Sequence, residues 1–133
     1  MGLSTETNQV TWSAANTKSV AASGTEDADD YTFDVTCSRA MLQIKADNSG
    51  TPASGDIANL YAALKGDPDQ DTTDEYDSVQ TFVTSLDTYN DADPAVKSMP
   101  FYPIAGQTYQ FSIENEGASA MTCSIRITEE KVS

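Results

Sequence analysis

Gln107-Thr-Tyr-Gln-Phe-Ser-Ile-Glu-Asn115 and Ser119-Ala-Met-Thr-Cys-Ser-Ile-Arg-Ile-Thr128 alternate apolar and polar side chains. Tyr109, Phe111 and Ile113 share one face of the first run, and Met121, Cys123, Ile125 and Ile127 share one face of the second. A period of two marks a strand with one face buried and the other wet. Gly117 lies between the runs, so together they predict a β-hairpin.

The same pattern extends upstream. Tyr31, Phe33, Val35 and Cys37 alternate with Thr32, Asp34 and Thr36, predicting a strand over 31–37 and a turn at Ser38–Arg39. Leu42 and Ile44 point inward from a second strand over Ala40–Ala46, and Asn48–Asp56 is a turn-rich loop. Val96–Ile104 reads as extended, and Pro100 and Pro103 confine it to an edge or an irregular strand. Two segments stay open between helix and strand. Ile57, Leu60, Tyr61 and Leu64 (57–65), and Tyr76, Val79, Phe82, Val83 and Leu86 (76–86), fit a helical stripe on short stretches. Residues 1–8 are polar and read as a flexible arm, disordered or ordered only against a neighbour. The expectation is an all-β, mainly antiparallel single domain over 9–133, a β-sandwich or jelly-roll-like barrel with at most one or two short helices.

Composition narrows the function. The 133 residues suffice for one domain that folds without metals or disulfides. There are 30 Ser and Thr residues, which favour half-exposed strands and turns. Twenty-one acidic residues face seven basic ones, for a net charge of −14, and no two basic residues are adjacent. Binding nucleic acid needs a basic patch to neutralise phosphates, so no nucleic-acid partner is expected. No stretch approaches the roughly 20 apolar residues of a membrane span. Residues 1–8 also lack the cationic start and apolar run of a secretory signal. Cys37 and Cys123 read as buried free thiols, since both fall on inward positions, although inward placement also allows them to meet in one core.

Catalytic constellations are missing. There is no histidine, which removes Ser-His-Asp and Cys-His catalysis and His-ligated zinc, and no Gly-rich phosphate loop occurs. The acids cluster in turn-like runs, at Gly24–Asp30 and Asp67–Asp77, where they would be solvated rather than set in a cleft. No enzyme is expected. In the second run Asp67, Asp69, Asp71 and Asp74 recur with a spacing that begins like a calcium loop. Thr72 then stands where such a loop needs Gly, and Ser78 where it needs a bidentate Glu. The run reads as a solvated acidic loop or as a weak Ca²⁺ site, and no other cofactor is expected. Met99, Phe101 and Tyr102, in a proline-flanked apolar run, read as core or as an edge that a partner covers.

Ser19-Val-Ala-Ala-Ser-Gly-Thr-Glu-Asp27, Ile44-Lys-Ala-Asp-Asn-Ser-Gly-Thr-Pro-Ala-Ser-Gly-Asp56, Gly66-Asp-Pro-Asp69, Asp74-Glu-Tyr-Asp77 and Leu86-Asp-Thr88 are turn sequences spread over most of the chain. In these runs the chain resembles small structural proteins encoded among the virion genes of tailed bacteriophages. The resemblance implies a β-sandwich present in many copies on the particle, with the 57–65 segment as a strand. It implies capsid decoration, or cement, holding neighbouring capsid subunits together from the outer shell. A neck, tail or head-fibre subunit is the alternative within that resemblance, and a carbohydrate- or calcium-binding β module the alternative outside it. The partners implied are the major capsid protein or other virion proteins and further copies of this chain, as a dimer or trimer. The place implied is the virion, after synthesis in the host cytoplasm.

Overall fold

A computed structural model describes residues 2–66 and 80–133. Its strands are β1 (Leu3–Val10), β2 (Lys18–Val20), β3 (Thr25–Asp27), β4 (Tyr31–Thr32), β5 (Cys37–Asn48), β6 (Ile57–Gly66), β7 (Gln80–Asp87), β8 (Ala95–Phe101), β9 (Thr108–Asn115) and β10 (Met121–Val132). All pairings are antiparallel, in two sheets ordered β1-β10-β5-β8 and β3-β9-β6-β7. β2 continues the β1 side of β10, and β4 sits beside β3 along β9. Counting β1/β2 and β3/β4 as two interrupted strands gives the eight-strand order of a jelly roll, in which the chain passes repeatedly from one sheet to the other.

The core lies between the sheets. Leu42, Ile44, Met121, Ile125 and Ile127 of one sheet are fully buried against Leu60, Leu86, Phe111 and Ile113 of the other. Phe33 and Phe101 stack at 5.8 Å between ring centroids, and Tyr109 meets both edge-on at 5.4 Å. Such pairs add roughly 0.5–1.5 kcal/mol each beyond the area they bury. Cys37 and Cys123 are buried free thiols. Burial pushes their pKa values up, to about 11 and about 12, so both are held as unreactive thiols.

Several expectations are corrected. The two best alternating runs do not form a hairpin: β9 and β10 lie in opposite sheets. Two facing sheets each need an apolar inner face, so periodicity alone reads the same for a hairpin and for a corner. Residues 115–119 make that corner. The Asn115 side chain donates to the carbonyls of Val20 (3.1 Å) and Ser119 (2.8 Å) and accepts from Gly117 N–H (2.8 Å).

The strand expected over 31–37 ends after Thr32. Asp34 Oδ1 accepts from the backbone N–H (2.8 Å) and the hydroxyl (2.6 Å) of Thr36, and Cys37 N–H donates to Asp34 O (3.0 Å). This local turn outcompetes the ladder. Val35 is left exposed, and Ser38–Arg39, expected as a turn, belong to β5.

The segment 57–65 lies within β6 and residues 80–86 within β7, and there is no helix among the described residues. Residues 76–79 of the second candidate helix lie outside the described residues.

The expected arm is a strand. Residues 3–8 belong to β1, whose pairing with β10 runs from Leu3↔Val132 to Val10↔Ile125. It is an edge strand with only Val10 fully buried, so it carries no alternating apolar signal. Cross-strand contacts hold it instead. The Thr7 and Thr128 hydroxyls lie 2.8 Å apart, and Lys131 Nζ lies 3.2 Å from the Glu6 carboxylate.

Candidate functional site

The two sheets do not close on each other along the side where β7 and β8 run. They are edge strands of different sheets, and a groove of about 380 Å³ opens between them. Leu64, Phe82, Val83, Met99, Phe101 and Tyr102 line it. Large apolar side chains are unusually wet here, with Phe82 54% and Tyr102 72% exposed.

Local structure explains why. β6 and β7 pair in regular register through Leu60↔Thr84, and the next pair is Tyr61↔Phe82, so Val83 is an extra residue in β7. A one-residue bulge reverses which side chains face the core. Thr84 and Leu86 point inward, whereas Phe82 turns out and meets Tyr61 edge-on at 5.8 Å. On the opposite lip, Pro100 within β8 and Pro103 just beyond it lack donors for any further strand. Tyr102, between the prolines, is left pointing into solvent. Lys97 Nζ bridges one stretch of the gap, donating to Thr84 Oγ1 (3.2 Å) and Ser85 O (2.9 Å).

The structure therefore divides the three apolar candidates. Phe101 is half-buried and tied into the aromatic cluster through Phe33, Tyr109 and Phe111. Met99 is partly buried against the core, and Tyr102 is exposed. All three line the one groove, with Phe101 and Met99 as its floor and Tyr102 as its rim. Leu64 and Phe82 were missed, because a helical reading of their segments turns both toward a core. Val83 in the β7 bulge is the decisive feature, and no residue type announces it. The calcium candidates Asp67, Asp69, Asp71 and Asp74 lie outside the described residues. Among the described residues, no group of three or more His, Cys, Asp or Glu side chains could hold a metal.

The buried polar groups elsewhere serve the fold. Glu129 accepts from the Tyr31 hydroxyl (2.6 Å) and from Asp34 N–H (2.9 Å). Burial, and then this carboxylate, push the Tyr31 hydroxyl pKa well up, so it stays a protonated donor. Asp56 is held below the usual carboxylate range by the backbone N–H groups of Ala53 and Ala118. Its Oδ2 also accepts from Asn48 Nδ2, so donors already surround it.

No protein-family model matches the chain, and no curated protein does. Solved structures do. A crystal structure of tripeptidyl peptidase 2 superposes over 94% of this chain and 10% of its own, at 11% identity and a TM-score of 0.62. The structure of infectious bursal disease virus, Gx strain, matches 97% of this chain and 32% of its own, at 11% identity and a TM-score of 0.53. Xylanase 10C of Cellvibrio japonicus, an E385A mutant with xylopentaose, matches 97% and 27%, at 13% identity and a TM-score of 0.52. The chain thus spans a third or less of each, and at these identities the likeness is one of fold.

Proposed function

We propose that this chain is a structural protein of a tailed-bacteriophage particle, a decoration (cement) protein that binds the outer capsid shell and bridges its subunits. The observation that carries the reading is the groove between β7 and β8, where Leu64, Phe82 and Tyr102 stay exposed on a chain of net charge −14. An exposed apolar cluster rimmed by polar surface is what a protein partner covers. The occupant is an apolar edge of the major capsid protein, with further copies of this chain completing a dimer or trimer about a capsid symmetry axis. Acidity suits an outer surface and opposes contact with packaged DNA. The resemblance of the turn sequences to virion proteins supports the same reading. The shared fold does not choose, since a virus, a peptidase and a xylanase all carry it.

The test is binding to purified shells that lack this chain. Phe82→Ser with Tyr102→Ser is expected to weaken binding about tenfold, a factor equal to about 1.4 kcal/mol and less than full burial of two such side chains provides. Both side chains are largely exposed, so thermal melting should move little. Undiminished shell binding by the double variant would contradict the proposal.

A further inference from the structure

We propose that the outer face of the β1-β10-β5-β8 sheet is a binding site for an acidic polysaccharide, a site distinct from the apolar groove. Strand register places its side chains in rows. Gln9, Arg126, Gln43 and Ser98 form one row, and Thr7, Thr128, Met41 and Pro100 form the next. Ser124, Lys45 and Val96 lie beyond the first row, and Thr5, Glu130 and Arg39 beyond the second.

Three of the seven basic residues of the whole chain, Arg39, Lys45 and Arg126, therefore meet on one face with two carboxylates, Glu130 beside Arg39 and Asp47 at the far end of β5. In sequence they are scattered, and only the pairing of β5 with β10 collects them. Glu130 neutralises Arg39 at 3.2 Å. Arg126 and Lys45 have no carboxylate partner among the described residues. In a chain of net charge −14, three cations against two carboxylates leave this face slightly positive, and at physiological salt such a patch acts on its own within about 8 Å.

The face is also hollowed. Adjoining depressions of about 240, 580 and 200 Å³ share Gln43 and Arg126 at one junction and Met41 and Thr128 at the other. They form one furrow from the level of Lys45 to that of Arg39, roughly 20 Å at strand rise. The polar groups are held in place. Arg126 donates through Nε (3.0 Å) and Nη2 to Gln43 Oε1, which lays the guanidinium along the sheet. Gln9 Nε2 donates to Ile125 O (2.9 Å), and the Thr7 and Thr128 hydroxyls bind each other. Exposed Met41 and Val96 lie among them and offer apolar contact.

These features select the ligand class. Peptides that add to sheets use free backbone groups at an edge, whereas the furrow floor is β5 and β10, each paired on both sides. Among the described residues the face has no aromatic ring on which a base could stack, and closely spaced phosphates would meet the net negative charge. A sugar chain with separated carboxylates meets amides, hydroxyls and the Arg126 and Lys45 cations, which have no carboxylate partner among the described residues, at spacings it can follow.

Calorimetric titration of the full chain with alginate oligomers, neutral dextran and poly-glutamate tests this. Alginate is expected to bind and dextran not. Arg126→Gln with Lys45→Gln should raise the alginate Kd about tenfold or more at unchanged melting. Phe82→Ser with Tyr102→Ser should leave it unchanged, which separates this site from the groove. No heat with alginate, equal binding of poly-glutamate, or full binding by the Arg126/Lys45 variant would each overturn the proposal.

Discussion

Gly117→Val is expected to destabilise the protein by roughly 3 kcal/mol, the range for forcing atoms into a packed, hydrogen-bonded site. A Cβ at Gly117 would stand 2.7 Å from Asp56 Oδ1, 3.1 Å from Asp56 Cα and 3.1 Å from Asn115 Oδ1. None of these can retreat cheaply. Asp56 Oδ1 accepts from Ala118 N–H at 3.0 Å, and Asp56 O accepts from the Thr88 hydroxyl at 3.0 Å. Asn115 is buried and binds on both ends of its amide, so displacing it leaves carbonyls of Val20 and Ser119 short of a donor. Urea unfolding gives the value. Gly55→Ala is the control: Gly55 has φ +93° and nothing within 4 Å of an added Cβ. Only backbone strain acts there, about 1 kcal/mol. Equal losses at the two glycines would contradict the packed corner.

Deleting residues 2–9 is expected to cost about as much, roughly 3 kcal/mol, because it converts β10 from an interior strand into an edge and removes a ladder whose bonds are each worth ~1 kcal/mol net. Val10, fully buried and paired with Ile125 at the end of that ladder, would be left next to a free chain end. Lys131, with a side chain only 19% exposed, would lose its Glu6 partner and, among the described residues, keep the Asp34 carboxylate at 3.5 Å. The cost also depends on pH. Glu6 is held below the usual carboxylate range by its hydrogen bond from Asn8 and then by Lys131. A carboxyl with a lowered folded pKa stabilises the fold above its unfolded pKa, and that contribution is lost as pH falls through the folded value. The advantage of the full chain over the deletion should therefore shrink as pH drops below the ordinary carboxylate range. Paired urea melts of the two chains at neutral and acid pH measure both effects. A deletion that melts like the full chain would mean that residues 2–9 contribute nothing.

The fold class was legible because the apolar alternation of Tyr109–Ile113, Met121–Ile127 and Leu42–Ile44 is a direct image of buried sheet faces. Connectivity was not, since inward-facing strands of opposite sheets carry the same alternation as hairpin partners. Only the side-chain contacts of Asn115 and Asp56 distinguish the corner. β1 was invisible because a polar edge strand is held by its ladder rather than by burial. Phe82 lies in a segment left open between helix and strand, and its outward orientation was not legible because it depends on the bulge at Val83. The apolar run around Tyr102 was legible from its prolines, which rule out a central strand. The cationic face was not, because Arg39, Lys45 and Arg126 come together only through strand register.

The most direct test of the proposed particle role is the copy number of this chain in purified virions, by quantitative mass spectrometry against the major capsid protein. A decoration protein seated on a repeated shell contact must be present in a fixed, high ratio to capsid subunits, hundreds of copies on a large shell. That ratio is the predicted result. Absence from the particle, or only a few copies as at a neck or tail, would contradict it.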